Sequence, residues 1–225
     1  MEYKGKLVEY YMRPGTSDKF VMEEQDYECI KLNKDDVWLD IGANIGAFPI
    51  KYAKHVGHIL CFEPNRENYG VLLHNLEHHR LLNEANVYSY NSAVIATGTA
   101  FQPLYVNKGE NKGKHSLQPG IANVRPTYKE LVHCIHYSTL MDADGVKVDI
   151  EGGEYELLSH MAIVGKLNNT KQLVFEYHYN PEYTTQTQEQ FLRLEHTLRN
   201  YGKFSHIEIV AEDPKYKTYI VYCHA

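Results

Sequence analysis

Two short stretches of this sequence set acids and glycines at spacings that could do chemistry. In the first, Asp40-Ile41-Gly42-Ala43-Asn44-Ile45-Gly46, a carboxylate precedes two glycines with a carboxamide between them. Gly42 can take torsions closed to other residues, Gly46 permits close helix packing, and Asn44 tolerates turn geometry. The GxxxG spacing departs from the GxGxxG that seats a pyrophosphate on a helix N-terminus, which counts against a dinucleotide. Asp40 points the same way, because a carboxylate repels phosphate and suits the cationic amino group of an amino-acid ligand. Glu63 follows the glycine turn by about twenty residues, where an acid of a Rossmann-like unit accepts hydrogen bonds from two ribose hydroxyls. The alternative for Glu63 is a capping role on the next helix through Asn65. Ser92, within Asn91-Ser92-Ala93, either edges an adenine ring or makes a simple turn.

The second stretch, Lys147-Val148-Asp149-Ile150-Glu151-Gly152-Gly153-Glu154, puts Asp149 and Glu151 past a strand and before a helix, at the carboxyl edge where open α/β sheets bind ligands. Glu176 and His178 end a later strand at the same edge, on one face because strand side chains alternate. An alcohol needs a base within hydrogen-bond reach to become a good nucleophile. His178 is the first candidate, with Glu176, Asp149 and Glu151 behind it; the competing reading is a polar strand end packed on the C-terminal helix. Lys112-Gly113-Lys114-His115-Ser116 follows flexible glycines and is expected to fold over this edge, with Lys114, His115 and Ser116 gripping an acceptor. A solvated surface loop is the alternative. The 13 histidines show no HExxH spacing, so no metal site is expected.

These residues need a scaffold, and from Asp36 onward short apolar runs alternate with longer amphipathic ones, as in a parallel sheet with crossover helices. Strands are expected at Val37–Asp40, His58–Glu63, Asn86–Val94, Gly145–Ile150 and Leu173–Tyr177. Helices are expected at Gly46–His55, Asn65–Leu82, Gly153–Val164 and Glu189–Tyr201. The tail reads as a hairpin, Ser205–Val210 and Lys217–Cys223, appending one antiparallel strand. One domain over 1–225 is expected, with an N-terminal extension at 1–35 and a less regular insertion at about 99–137, in which Leu104–Val106 and His133–Tyr137 look extended.

Hydrophobic residues at 43% and charged residues at 23% fit a packed fold. The net charge of -6 gives no pull toward nucleic acid or an anionic membrane. No stretch is long and apolar enough for a membrane span, and the first residues do not read as a secretory signal. The four cysteines lie far apart without a CxxC pair, which suits free thiols in a reducing, cytoplasmic compartment.

Taken together, Asp40–Gly46, Cys61-Phe62-Glu63-Pro64-Asn65 and Val146–Glu154 resemble the FkbM-like methyltransferases, over about Val37 to His178. The resemblance implies an α/β class I methyltransferase (Rossmann-like) fold, S-adenosyl-L-methionine as donor, and O-methylation of a small-molecule or carbohydrate acceptor. It implies donor binding by Asp40, Gly42, Asn44, Gly46 and Glu63 and sets Asp149 and Glu151 beside the transferring methyl; Asn65 and Ser92, at the ends of the second and third strands, are expected to join the donor site. A nicotinamide dehydrogenase lacks support without GxGxxG. A nucleic-acid methyltransferase keeps the donor site, and Lys108, Lys112, Lys114 and Arg125 could meet phosphates, but the acidic whole and the missing Asp-Pro-Pro-Tyr type motif speak against it. A binding protein on an inactive form of the fold is a third reading, opposed by intact Asp40, Glu63 and Asp149.

Overall fold

The computed structural model describes residues 2–3, 6–7, 10–23, 27–84, 86–109, 114–119, 127–182 and 184–225. Its centre is a seven-stranded sheet. The strands are β1 (Val37–Ile41), β2 (His58–Phe62), β3 (Val87–Tyr90), β7 (Gly145–Val148), β8 (Gln172–His178), β9 (His206–Asp213) and β10 (Thr218–His224). Their spatial order is β9-β10-β8-β7-β1-β2-β3. The pairings of β3 to β2, β2 to β1, β1 to β7 and β7 to β8 are parallel. The last strand, β10, slots antiparallel between β8 and β9. The tail hairpin therefore supplies the one antiparallel strand by insertion, with its first arm at the sheet edge.

The central strands are apolar on both faces because both faces are covered. Trp38, Ile59, Cys61 and Val174 pack with Phe48 and with Leu72 and Leu76, which lie on helices α2 (Ala47–Tyr52) and α3 (Arg66–His78). The alternate residues Leu39, Ile41, Val146, Val148 and Phe175 pack with Leu157, Leu158 and Met161 of α5 (Glu154–Ile163) and Leu194 and Leu198 of α6 (Gln188–Asn200). The period-two alternation along each strand thus decides which helix layer a residue meets. Helix α6 starts on a capping box between Thr187 and Gln190, in which each side chain takes up the other's backbone amide.

Three sequence expectations need correction. The run Asn86–Val94 is two strands, because the chain leaves the main sheet at Asn91-Ser92 and Ala93–Ile95 (β4) joins a second, three-stranded sheet. Asn91 fixes that exit by donating to the carbonyls of Glu63 and Pro64 at 2.8 and 3.0 Å. The helix expected to run to Leu82 stops at His78, since Arg80 turns to φ +57° before the short α4 (Leu81–Glu84). The insertion is more regular than its composition suggests: Phe101–Asn107 (β5) and Thr127–His136 (β6) form an antiparallel ladder, and β6 pairs parallel with β4.

The N-terminal extension carries α1 (Asp18–Glu23), an element the apolar spacing did not announce. It is tied down by Arg13, which bonds Asp18 at 2.8 Å and reaches Asn68 and Glu67 on α3 at 2.9 and 3.0 Å.

Candidate active site

The glycine turn sits at the carboxyl end of β1, where the backbone must pass the neighbouring strand closely. Gly42 has φ +85°, and a Cβ there would lie 1.7 Å from the Asp149 carbonyl oxygen. Asn44 follows at φ +50° and Gly46 at φ +94°, the latter facing Leu72 of α3. No L side chain other than a short polar one settles easily in this run of left-handed torsions.

Glu63 closes β2 beside that turn. Its carboxylate accepts the amides of Asn44 at 2.9 Å and Asn65 at 2.8 Å, so it braces both the turn and the start of α3. Burial raises its pKa to about 7, against the two amides, which favour the charged form.

Asp40 and Lys147 occupy adjacent strands beneath the turn. The Lys147 ammonium stands 3.2 Å from Asp40, donates to the Gly42 carbonyl at 2.6 Å, and lies 3.9 Å from Asp149. Asp40 is fully buried, and its burial outweighs Lys147 enough to raise its pKa. A cation for Asp40 is therefore built into the fold. The sequence expectation gave that place to a ligand's amino group, whereas the geometry leaves Asp40 supporting the turn from behind.

Two clefts open on this edge. The first, of about 160 Å³, is lined by Gly42, Asn44 and Glu63, by apolar Ile41, Phe62, Val94, Ile95 and Leu157, and by His115, Ser116, Asp149 and Glu151. The second, of about 580 Å³, is lined by Phe20, Tyr27, Tyr216, Lys114, Lys147, Glu176 and His178. Gly42, Asn44, Asp149 and Glu151 belong to both walls, so the clefts meet at the glycine turn and the two acids past β7.

At that junction His178 is held by carboxylates. Its Nδ1 lies 3.1 Å from Glu154, while Nε2 lies 3.3 Å from Glu151 and 3.5 Å from Glu176. Burial alone would lower its pKa, yet Glu151, Glu176 and Glu154 together hold it well above the ordinary imidazole value. Glu151 is pushed the other way from the usual carboxylate, upward, chiefly by burial. Glu154 is fixed in turn: its carboxylate accepts the amides of Ile150 and Gly152 and the Gln186 side chain, at 3.2, 3.1 and 2.6 Å.

The structure brings together Gly42, Asn44, Glu63, Asp149, Glu151, Glu176 and His178, and leaves others aside. Asn65 is fully buried, caps α3 by accepting from the Asn68 amide, and lines neither cleft. Ser92 bonds His133 at 2.8 Å and is also off both walls. Ala93 to Thr97 line the first cleft instead. Gly46 packs behind the turn. Lys114, His115 and Ser116 are all buried, so the solvated-loop alternative does not describe them. They part company, with Lys114 on the second cleft and His115 and Ser116 on the first. Ser116 donates to the Glu151 carbonyl at 2.7 Å. Lys112, Gly113 and Arg125 lie outside the described residues. Sequence reasoning missed Lys147 and Glu154; a lone lysine inside an apolar strand was the available signal for the first.

A family model for the methyltransferase FkbM domain matches residues 40–204. The chain belongs to the FkbM methyltransferase family. The matched region is a methyltransferase domain, and its Rossmann-like fold is shared with solved methyltransferases. A methyltransferase FkbM from Methylobacillus flagellatus KT superposes with a TM-score of 0.57 at 14% identity, over 88% of this chain and 46% of that one. The chain thus spans about half of that protein's length. A precorrin-6y C5,15-methyltransferase from Geobacter metallireducens GS-15 gives 0.52 at 17% identity, covering 96% and 93% of the two chains. A putative rRNA methylase from Clostridium thermocellum gives 0.51 at 10% identity, covering 93% and 95%. At these identities the likeness is one of fold. No curated protein matches the chain. Among the described residues no helix is long and apolar enough to cross a membrane.

Proposed function

We propose that this family member transfers a methyl group to a hydroxyl of a small or carbohydrate-like acceptor, with the donor in the first cleft and the acceptor in the second. The observation that carries the proposal is the meeting of the two clefts at Asp149 and Glu151, with Glu176 and His178 on the acceptor side.

The first cleft suits the donor. Glu63 stands where ribose hydroxyls would donate, apolar Phe62, Val94, Ile95 and Leu157 give a ring somewhere dry to lie, and Asn44 and Asp149 face the polar end. Bound there, S-adenosylmethionine supplies an already activated methyl, so the chain's contribution is alignment and proton handling. In the second cleft Tyr27, Phe20 and Tyr216 offer broad faces with polar rims, and Lys114 and the acids offer hydrogen bonds, which fits a polyhydroxylated acceptor better than a nucleic-acid backbone.

The raised pKa of His178 changes the order of the base candidates. The surrounding carboxylates favour the protonated imidazole, which weighs against His178 as proton acceptor, so a carboxylate takes that role, with Glu176, on the second cleft beside His178, first among them.

Incubation with methyl-labelled donor and parallel acceptors bearing a sugar hydroxyl, an amine or an RNA strand tests the reading. Label on an oxygen of the hydroxyl acceptor is expected, with loss of transfer in Glu176→Gln. Label appearing only on amine or RNA would overturn it.

A further inference from the structure

Asp149, Glu151 and His178 come from two strand ends and present one ligand atom each, all within 4.8 Å of one another. From this geometry we infer that the junction of the two clefts is a divalent-cation site of the magnesium or manganese kind, with these three side chains as ligands.

The arrangement around them is what such a site needs. A ligating histidine gives its other ring nitrogen to a carboxylate that fixes the ring's orientation. Here Nδ1 of His178 lies against Glu154, and Glu154 is itself anchored by two backbone amides and Gln186. This leaves Nε2, on a side chain only 8% exposed, directed into the junction, where a bound cation takes the place of the proton that the carboxylates favour on this ring. Its neighbours there stand at 3.3 Å (Glu151) and 3.5 Å (Glu176), longer than the ~2.7–2.9 Å of a charge-assisted hydrogen bond, so the carboxylates surround the nitrogen without closing on it. Two carboxylates with an imidazole, and a third carboxylate in Glu176 behind, are an oxygen-rich set suited to a hard cation.

Two cations face these acids, each shared with another partner. Lys147 sits closer to Asp40, at 3.2 Å, than to Asp149, at 3.9 Å, and Lys114 lies over the Tyr216 ring at 4.5 Å. Local acids thus outnumber the bases that face them. The histidine and acids are about thirty residues apart in sequence, which is why no ligand spacing of the usual short kind shows.

The ion's part in the reaction rests on the hydroxyl-acceptor reading above. An ion at the junction would draw electron density from the acceptor oxygen, easing loss of its proton to the Glu176 carboxylate. The oxygen's electron pair then forms the bond to the methyl carbon as the carbon–sulfur bond breaks toward sulfur. The ion is neither oxidised nor reduced.

Chelator-treated protein with S-adenosylhomocysteine bound is titrated with manganese(II) and followed by electron paramagnetic resonance. One saturable site is expected, abolished in His178→Ala, and weakened at least tenfold in Glu151→Gln and about tenfold in Glu154→Gln. An unchanged thermal melt of each metal-free variant shows that the fold survives. No saturable manganese at millimolar concentration, or binding indifferent to all three substitutions, would overturn the site. Hydroxyl methylation undiminished in chelator with no manganese bound would remove the ion and leave the hydroxyl reading standing. Manganese held by these residues with no hydroxyl acceptor methylated would do the reverse.

Discussion

A lysine on a strand buried from both sides has to be neutralised where it stands, and Lys147 is neutralised by Asp40 on the adjacent strand. Removing one member of a buried pair strands the other charge in a poorly solvating interior. Lys147→Met should therefore cost about 3–5 kcal/mol in urea unfolding, with part of the loss recovered in Asp40→Asn/Lys147→Met. A loss below about 1 kcal/mol would place the pair among ordinary surface contacts. Glu63 makes a second residue-scale claim, through its pKa of about 7. Because that value lies above the ordinary carboxylate range, the folded state keeps a proton that the unfolded chain has already released. The stabilising contribution is full below the unfolded value and is lost as pH rises through about 7. Wild type should accordingly lose stability relative to Glu63→Gln on going from pH ~5 to ~8, as thermal melts at the two pH values would show. Ligand binding has the opposite sign, since ribose hydroxyls donate to the ionised form. Affinity for S-adenosylhomocysteine should rise about tenfold between pH ~6 and ~8 in wild type and stay flat in Glu63→Gln.

At the scale of elements, the active edge depends on β1 and β7 running so close that Gly42 tolerates no side chain. Gly42→Ala would set a Cβ 1.7 Å from the Asp149 carbonyl in a left-handed backbone, so the strands must part at the point where the clefts join. We expect donor binding to be lost and the melting temperature to fall; unchanged titration and melting curves would show that the two strand ends are free to separate. The elements themselves were legible in the sequence where period and punctuation agreed. Val37–Ile41 and Gly145–Val148 are apolar runs between turn signals, each broken by one charged residue, Asp40 and Lys147, and the glycine turn, Glu63 and the Asp149-Ile150-Glu151 stretch stood in register with them. The break at Asn91-Ser92 was not legible, because Asn86–Val94 keeps its strand character while changing sheets, and only the long-range bonds from Asn91 to Glu63 and Pro64 mark the exit. Helix α1 was hidden for a related reason: six residues give too little periodicity, and Arg13, which anchors it, works through partners on α3.

Across the whole molecule, residues far apart in sequence divide between two clefts that meet at one edge. The cleft proposed for the donor is walled by β1, β2, β4 and the chain around Ser116; the cleft proposed for the acceptor is walled by α1, β8 and the tail hairpin, with Lys114. Sequence order could suggest that Lys114, His115 and Ser116 act together, because they are neighbours. It could not show that they face different clefts, which depends on how β5 and β6 fold back. The division gives the central claim its most direct test, calorimetric titration of S-adenosylhomocysteine into wild type, Glu63→Ala and Lys114→Ala. Glu63→Ala should weaken binding by about 1.5–3 kcal/mol, the scale of a lost charge-assisted hydrogen bond, while Lys114→Ala leaves it unchanged. Undiminished affinity in a folded Glu63→Ala, or a loss confined to Lys114→Ala, would contradict the assignment of the two clefts.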